Sequence, residues 1–289
     1  MELEMRNLTK HYGKKEALKG VSVTLTPGIY GLLGPNGAGK STWMNILTGN
    51  LRQTSGEIFL DGENISHLGR SYRRRLGYCP QQQTFYPSFT ARRFLYYLAS
   101  LQDMSREQAG ERIEWALSAV ALSDVANKPI GSFSGGMKQR LLIAQSLLHD
   151  PDILIMDEPT AGLDPRQRIA IRNLIGEIAL HKIVMISTHV VQDVEYIAKE
   201  LILLSQGEIL RQATPPELLR ELEGQLWEAV VPEAQLNEAS AYGTVCGLFQ
   251  KPEGICVRLL GEKPPIPCKP AEPNLEDVYL RYFGAGEGL

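Results

Sequence analysis

The chain has 289 residues, of which 43% are hydrophobic, and its 33 acidic and 30 basic residues leave a formal net charge of −3. This length and composition support a packed globular core and exclude a mainly disordered chain. The nearly balanced charge provides no overall cationic field to hold a polyanion by counterion release, so we expect no nucleic acid as a partner.

The cysteines and the apolar runs exclude two further classes of protein. Cys79, Cys246, Cys256 and Cys268 show no CxxC spacing, which favours reduced thiols over a zinc site or a disulfide framework. The sequence MELEMRNLTKHYGKK lacks the apolar stretch of a secretory signal, and runs such as ILIM and LILL are too short to cross a bilayer. We therefore expect a soluble chain that reaches a membrane only by docking on it.

The first chemical motif is a glycine-rich loop after a short apolar strand at residues 29–33. GPNGAGKS, which ends at Ser41, matches the pattern G-x-x-x-x-G-K-[ST] and opens a helix from Lys40 that Gly49 can end. Glycines are needed because the backbone must curl around a phosphate with its N–H groups pointing inward. Lys40 would contact the β- and γ-phosphates, Ser41 would ligate Mg²⁺ and Thr42 would bind another phosphate oxygen. The predicted nucleotide-binding residues of this loop are Gly34, Pro35, Asn36, Gly37, Ala38, Gly39, Lys40, Ser41 and Thr42.

A helical segment follows, from about residue 86 to 150. FTARRFLYYLASL and AGERIEWALSAVAL carry apolar residues at spacings of three and four, which predicts a helical insertion in a sheet domain. Gln81, in GYCPQQQ, lies at its start, where an amide can sense Mg²⁺ or the γ-phosphate and report its loss to the helices. FSGGMKQR, at residues 133–140, holds two glycines behind Ser134 and by itself predicts only a helix start capped by that serine.

Three polar residues follow apolar runs that read as buried parallel strands. ILIMDEP places Asp157 and Glu158 at the carboxyl end of one strand, the edge where the glycine loop also ends. Because adjacent side chains on a strand point to opposite sides, we expect Asp157 to orient Mg²⁺ and Glu158 to face the water that attacks the γ-phosphate. His189 ends KIVMISTH at this edge, where a neutral imidazole can bond the γ-phosphate. With LILLSQ, these runs predict an α/β fold with a mostly parallel sheet.

The composition changes after about Thr214. Two prolines open ELLREL, a hairpin is predicted around KPEG, and PNLEDVYLRYF predicts a closing helix capped by Asn274. We therefore assign residues 1–215 to the main domain and 216–289 to a small α+β accessory domain.

With these motifs in order, roughly residues 2 to 215 resemble the nucleotide-binding subunit of an ATP-binding cassette (ABC) transporter. The resemblance makes GPNGAGKST the Walker A loop, ILIMDEP the Walker B motif and FSGGMKQR the family signature. It places Gln81 in the Q-loop, Asp164 of AGLDP in the D-loop and His189 in the H-loop, and it makes Tyr12 the aromatic that stacks on adenine. It implies the P-loop NTPase fold of ABC ATPases, with an antiparallel β portion, and Mg²⁺-dependent ATP hydrolysis.

The resemblance also explains why one chain has two glycine loops. In this family Ser134, Gly135 and Gly136 serve a nucleotide held by the Walker A loop of a second subunit. The chain would therefore form a head-to-tail homodimer or heterodimer with two complete sites. The glycines let backbone N–H groups approach the γ-phosphate, and the N-terminus of the following helix adds positive charge.

Two positions depart from the family's usual pattern. Phe133 stands where leucine is most common at the head of the signature, and Arg93 stands where an acidic residue is frequent. The helical region faces the membrane partner in transporters, so Arg93 concerns the identity of the partner rather than catalysis.

The leading hypothesis is an ATPase, peripheral on the cytoplasmic face of the cell membrane, that powers a transporter whose permease subunits are separate chains. The closing helix resembles those of bacterial exporter subunits, which favours export over import. The alternative is a soluble ABC ATPase of a non-transport system, such as iron–sulfur cluster assembly. DNA-repair ATPases have a long coiled-coil insertion and translation factors have two cassettes, and this chain has neither.

Overall fold

The computed structural model describes residues 1–284 and divides into two compact units, Met1–Leu210 and a second unit that starts at Arg211. The division lies a little before the predicted boundary at residue 215. Residues 285–289 of the predicted accessory domain lie outside the described residues. Within the described chain, no helix is both long and apolar enough to span a bilayer.

The elements up to residue 213 are ten strands and eight helices, besides short 3₁₀ turns. In chain order they are β1 (Leu3–Tyr12), β2 (Lys15–Leu25), β3 (Gly28–Leu33), α1 (Lys40–Leu47), β4 (Ser55–Leu60), β5 (Glu63–Asn64), α2 (Ile65–Leu68), α3 (Arg70–Arg74), β6 (Leu76–Cys79), α4 (Ala91–Leu101), α5 (Arg106–Ala119), α6 (Gly135–Leu147), β7 (Ile153–Asp157), α7 (Pro165–Ile178), β8 (Ile183–Ser187), α8 (Gln192–Glu195), β9 (Glu200–Ser205) and β10 (Glu208–Ala213).

A six-stranded sheet in the order β10-β9-β3-β8-β7-β6 positions the motifs. The predicted apolar runs form β3, β7, β8 and β9, which confirms them as strands. β3 pairs in parallel with β8 and β9, and β7 pairs in parallel with β6 and β8. All residues of β8 are buried, as expected for a strand covered on both faces. The carboxyl ends of β3, β8 and β7 therefore lie side by side.

The second sheet is antiparallel, in the order β2-β1-β4-β5. Side chains of β1, of α1 and of the parallel strands share one hydrophobic core. Trp43 of α1 has no exposed surface, and its indole N–H donates to the sulfur of Met5 on β1 at 3.1 Å. The start of α1, and with it the end of the glycine loop, is thus fixed by packing on both sheets.

Helices α4, α5 and α6, with two short 3₁₀ turns, form the predicted helical insertion. Thr90 caps α4, and Ser105 caps α5 in a reciprocal capping box with Gln108. In the described structure, none of the named strands lies between α4 and α6.

The second unit is an antiparallel sheet with helices, in the strand order β12-β13-β11-β14. Its further elements are α9 (Pro215–Arg220), β11 (Leu226–Val231), α10 (Leu236–Ser240), β12 (Thr244–Lys251), β13 (Gly254–Leu260), β14 (Lys269–Pro270) and α11 (Leu275–Phe283). The hairpin prediction is confirmed, because β12 and β13 meet at the pair Lys251 and Gly254. The predicted cap is also confirmed, since Asn274 accepts from the N–H of Asp277 at 3.0 Å.

A buried ion pair joins α11 to this sheet. Asp277 is 1% exposed, and its two carboxylate oxygens accept from Nε and Nη2 of Arg258 at 3.1 and 2.6 Å. Arg258, on β13, also contacts Glu228 of β11 at 3.4 Å. Two carboxylates balance the charge of Arg258, and its Nη2 also donates to the backbone carbonyl of Glu272. Loss of the Asp277 charge would leave only Glu228 to balance it.

We expect Asp277→Asn to lower the free energy of unfolding of the second unit by about 3 kcal/mol, because it removes one partner of a buried pair. Hydrogen exchange of β11 and β13 amides in a urea series measures this without interference from the first unit. The control is Glu253→Gln, which removes a carboxylate from an exposed position in the hairpin turn. Equal exchange in the two variants would contradict the prediction.

Candidate nucleotide-binding and catalytic site

The glycine loop fills the turn from β3 to α1 and has no room for side chains at two of its glycines. A Cβ on Gly34 would lie 2.1 Å from the carbonyl oxygen of Leu204, and one on Gly39 would lie 2.6 Å from that of Ala17. Gly37 has open space around it but a φ of 82°, a left-handed conformation that favours glycine. The loop is therefore fixed by backbone contacts with the rest of the core.

Lys40, the first residue of α1, folds back over this loop. Its ammonium donates to the carbonyl oxygens of Gly34 and Pro35, at 2.5 and 3.1 Å. Burial lowers the pKa of Lys40, while the charges of Glu158 and Asp157 act in the opposite direction. The Lys40 ammonium is therefore within electrostatic reach of the two carboxylates.

Glu158 is buried at the sheet edge and held there by several hydrogen bonds. It is 7% exposed, and its backbone N–H donates to the carbonyl of Ser187 at 2.8 Å. Its carboxylate accepts from the Thr188 hydroxyl at 3.2 Å and from the backbone N–H of His189 at 2.9 Å. Its φ of 50° is unusual for a residue with a side chain, and such strain persists only where surrounding contacts enforce it.

The two acids are separated by a turn rather than by strand alternation. The sequence predicts both on one strand, but β7 ends at Asp157 and Glu158 adopts the left-handed backbone conformation. Burial, and then the charge of Glu158, raise the pKa of Asp157, and a hydrogen bond from Ser187 and the charge of Lys40 oppose this. A cation beside Asp157 would offset the repulsion between its carboxylate and that of Glu158.

Mg²⁺ fits the residues present, although the described residues contain no group of three His, Cys, Asp or Glu side chains that would hold a metal alone. Mg²⁺ commonly binds through one or two protein oxygens together with waters and substrate phosphates. The Asp157 carboxylate and the Ser41 hydroxyl provide such oxygens, and Gln81 follows β6, the neighbour of β7. When bound, the ion would neutralise phosphate charge.

His189 is directly bonded to Glu158 through Nδ1, 2.8 Å from Oε1, although 74% of its side chain is exposed. A carboxylate only accepts, so Nδ1 carries the proton in this arrangement. A neutral imidazole then has a bare Nε2, which cannot donate to a phosphate oxygen. The predicted bond to a γ-phosphate therefore requires a doubly protonated ring or release from Glu158.

The second glycine loop lies at the start of α6. Ser134 caps this helix by accepting from the N–H of Met137 at 3.2 Å, and a Cβ on Gly135 would meet no atom within 4 Å. Asp164 likewise caps α7, accepting from the N–H of Gln167 at 2.8 Å. Within residues 1–284, no hydrogen bond or ion pair links Ser134 to the first glycine loop.

The remaining predicted residues lie at the borders of the site. Tyr12, the last residue of β1, is 50% exposed, with the Lys10 ammonium 5.3 Å from its ring centroid. Gln81 is exposed, in the loop between β6 and α4. The structure thus brings Lys40, Asp157, Glu158 and His189 together and leaves the second loop apart.

Sequence reasoning missed Gln139 as a supporting residue. It is buried on α6, and its amide donates to the carbonyls of Glu158 and Pro159, both at 3.2 Å. The helix that presents the second glycine loop is therefore bonded to the turn that presents Glu158. The available signal was an uncharged polar residue on the apolar side of this helix, one turn after Gly135 and Gly136.

Comparisons with known proteins agree on one family. Residues 18–161 match the family model described as ABC transporter. The chain is 39% identical over 232 residues to the uncharacterized ABC transporter ATP-binding protein YxlF of Bacillus subtilis (strain 168), covering 80% of this chain and 77% of that protein. It is 34% identical to the Nod factor export ATP-binding protein I of Burkholderia orbicola (strain AU 1054), covering 98% of this chain and 97% of that protein.

Solved structures support the same assignment. The chain is similar to a dimeric ATP-binding cassette in a post-hydrolysis state bound to ADP and Pi, with a TM-score of 0.67 and 28% identity. That match covers 74% of this chain and 98% of the other. The predicted P-loop ABC ATPase core is therefore confirmed, and the chain belongs to the ABC transporter family as an ATP-binding subunit with ATPase activity.

Proposed function

We propose that this chain hydrolyses ATP to drive a membrane exporter, by ATP-dependent head-to-tail dimerisation at the cytoplasmic face of the membrane. The supporting observation is the division of the site. Lys40, Asp157, Glu158 and His189 share one edge of the sheet, while Ser134 caps a helix with no bond to the glycine loop of its own chain among the described residues. Such a half-site needs its complement from a second chain.

In the proposed mechanism, the backbone N–H groups of the loop and Lys40 bind the triphosphate, and Tyr12 stacks on the base. Glu158 orients and deprotonates the attacking water. Three hydrogen-bond donors, the Thr188 hydroxyl and the backbone N–H and Nδ1 of His189, fix the position of its buried carboxylate. Gln81 and the partner's signature loop would bind around the γ-phosphate, and His189 would join them once it is released from Glu158 or doubly protonated. Mg²⁺ would neutralise phosphate charge beside Ser41 and Asp157.

The proposal of export is supported by how much of this chain matches an exporter subunit, and not by the geometry of the site. The match to a Nod factor export ATP-binding protein covers 98% of this chain, so it includes the second unit as well as the first. This similarity favours an exporter subunit over the soluble iron–sulfur assembly alternative. The permease would be a separate chain.

The helical insertion offers a surface for that permease. Tyr86, Phe89 and Tyr97 form a ring cluster, with centroids 4.9 to 6.4 Å apart. The Arg93 guanidinium lies 4.2 Å from the Phe89 centroid, and Tyr86 and Tyr97 are 52% and 41% exposed. We define these four residues as the aromatic patch. An exposed cation over the Phe89 ring, beside two half-exposed tyrosine rings, suits a partner that presents a carboxylate beside an apolar residue.

We expect Arg93→Glu to reduce recovery of multispanning chains when the tagged protein is purified from its native membrane, while the basal ATPase rate stays at the parent value. The reason is that charge reversal repels an acidic partner residue without touching the catalytic edge. The control is Arg106→Glu, the same change at an exposed position that starts α5. Recovery of only soluble partners by the parent would contradict the transporter proposal. Equal recovery by both variants would contradict the proposal that the aromatic patch binds the permease.

A further inference from the structure

Asp193 is a buried carboxylate to which the proposed mechanism gives no role. It lies on α8 and is 2% exposed, and one of its oxygens, Oδ2, accepts a hydrogen bond from the hydroxyl of Thr160. Thr160 is also 2% exposed and lies two residues after Glu158. A buried carboxylate is costly unless compensated, so an apolar residue would serve mere packing better.

The other oxygen of Asp193 faces the helix that follows the D-loop. Asp193 Oδ1 lies 3.7 Å from Nε of Arg168, and within residues 1–284 neither atom makes a hydrogen bond. Arg168 lies in the first turns of α7, which Asp164 caps. The Asp193 carboxylate thus accepts a hydrogen bond from Thr160, in the turn that follows Glu158, and pairs with the helix that Asp164 caps.

Asp193 is also close to His189 along the chain, four residues after it. Its own N–H donates to the carbonyl of Val190 at 2.9 Å, and the N–H of Val190 donates to the Thr188 hydroxyl at 3.0 Å. Arg172 of α7 donates to the carbonyl of Gln192 at 2.9 Å, so α7 and α8 are joined beside this pair as well. Any shift of α8 would therefore displace the segment that presents His189.

From this geometry we infer that Asp193 is a positioning residue that fixes the His189 segment relative to the Glu158 turn and to the Asp164 helix. The 2.8 Å contact between His189 and Glu158 joins loops from two strands, and the hydrogen bond from Thr160 to Asp193 is a further link between the same loops, away from the Glu158 carboxylate. Because Arg168 follows Asp164 on one helix, displacement of the D-loop by a partner subunit would reach His189 through this carboxylate. The inference rests on the proposed roles of Glu158 and His189.

The sharpest test uses Thr160, because its two nearest analogues separate the hydroxyl from the side-chain volume. Thr160→Val keeps the shape and removes the donor to Asp193, whereas Thr160→Ser keeps the donor. We expect Thr160→Val and Asp193→Asn to lower kcat about tenfold, since small misplacements of reacting groups cost rate, and to leave the Kd for Mg-ATP unchanged. Thr160→Ser should keep kcat at the parent value. If Thr160 acted only by filling space, the smaller serine would be the more harmful change.

The assays are steady-state phosphate release and equilibrium nucleotide binding on the full chain, with thermal melting as a check of folding. Arg168→Gln combined with Asp193→Asn should be no slower than Asp193→Asn alone, because both remove the same pair. Parent kcat in Thr160→Val, or equal losses in Thr160→Val and Thr160→Ser, would overturn the inference. Full turnover in Glu158→Gln would contradict the proposed catalytic site itself. An inactive Glu158→Gln with normal turnover in Asp193→Asn and Thr160→Val would contradict only the positioning role of Asp193.

Discussion

Glu158→Gln should bind Mg-ATP as well as the parent and hydrolyse it on the order of a hundredfold more slowly or worse, because the substitution removes a general base. The geometry makes this change conservative. The Gln oxygen can accept from the backbone N–H and Nδ1 of His189, as Oε1 does, and the Thr188 hydroxyl can accept from the new amide. The turn that holds residue 158 is bonded through its backbone to Ser187 and Gln139 and should keep its shape.

The measurements are equilibrium nucleotide binding and phosphate release. Glu177→Gln is the matched control, since it makes the same change at an exposed position of α7 and should leave turnover unaltered. A rate for Glu158→Gln within a few-fold of the parent would remove Glu158 from the catalytic role. Loss of ATP binding would instead show that the carboxylate is needed to shape the loop.

The parts of the site that sequence could predict are those defined by local pattern. The strand before Asp157, the loop from Gly34 to Lys40 and the Ser134 cap each depend on residues adjacent in the chain, and β3, β7 and β8 formed where apolar runs predicted them. Parallel pairing then brings their carboxyl ends to one edge whatever the remaining contacts are. This explains why Lys40, Asp157, Glu158 and His189 could be predicted to share one edge of the sheet from the sequence alone.

The parts that sequence could not predict depend on contacts between distant residues or on irregular backbone. In β1 the burial pattern breaks where the pairing register shifts between Met5 and Leu8, and Asn7 takes a φ of 49°, so strand alternation is lost there. Thr160 and Asp193 are 33 positions apart and are ordinary polar residues by pattern. Arg258 and Asp277 likewise read as surface charges until α11 packs on the sheet.

Ser134→Arg added to Glu158→Gln should abolish the ATP-dependent dimer that Glu158→Gln alone accumulates. With hydrolysis blocked, ATP bound between two chains has no route to release, so the single variant should persist as a dimer in Mg-ATP. Ser134 has its hydroxyl at the N-terminus of α6, and Gly135 beside it has no neighbouring atom within 4 Å of a Cβ position. In the proposed head-to-tail arrangement this open surface faces the partner's γ-phosphate, and an arginine side chain would occupy that space.

The arginine also removes the cap of α6, which is worth about 1 kcal/mol, so Ser134→Ala in the Glu158→Gln background serves as the control. Ser134→Ala loses the same cap without adding bulk and should weaken the dimer less than Ser134→Arg does. Light scattering during size-exclusion chromatography with Mg-ATP gives the mass of each species, and nucleotide bound per chain should remain at the parent level because Lys40 and its loop are untouched. A monomeric Glu158→Gln chain at high protein concentration, or a double variant that dimerises as well as the single one, would mean that the second glycine loop does not complete a neighbour's site.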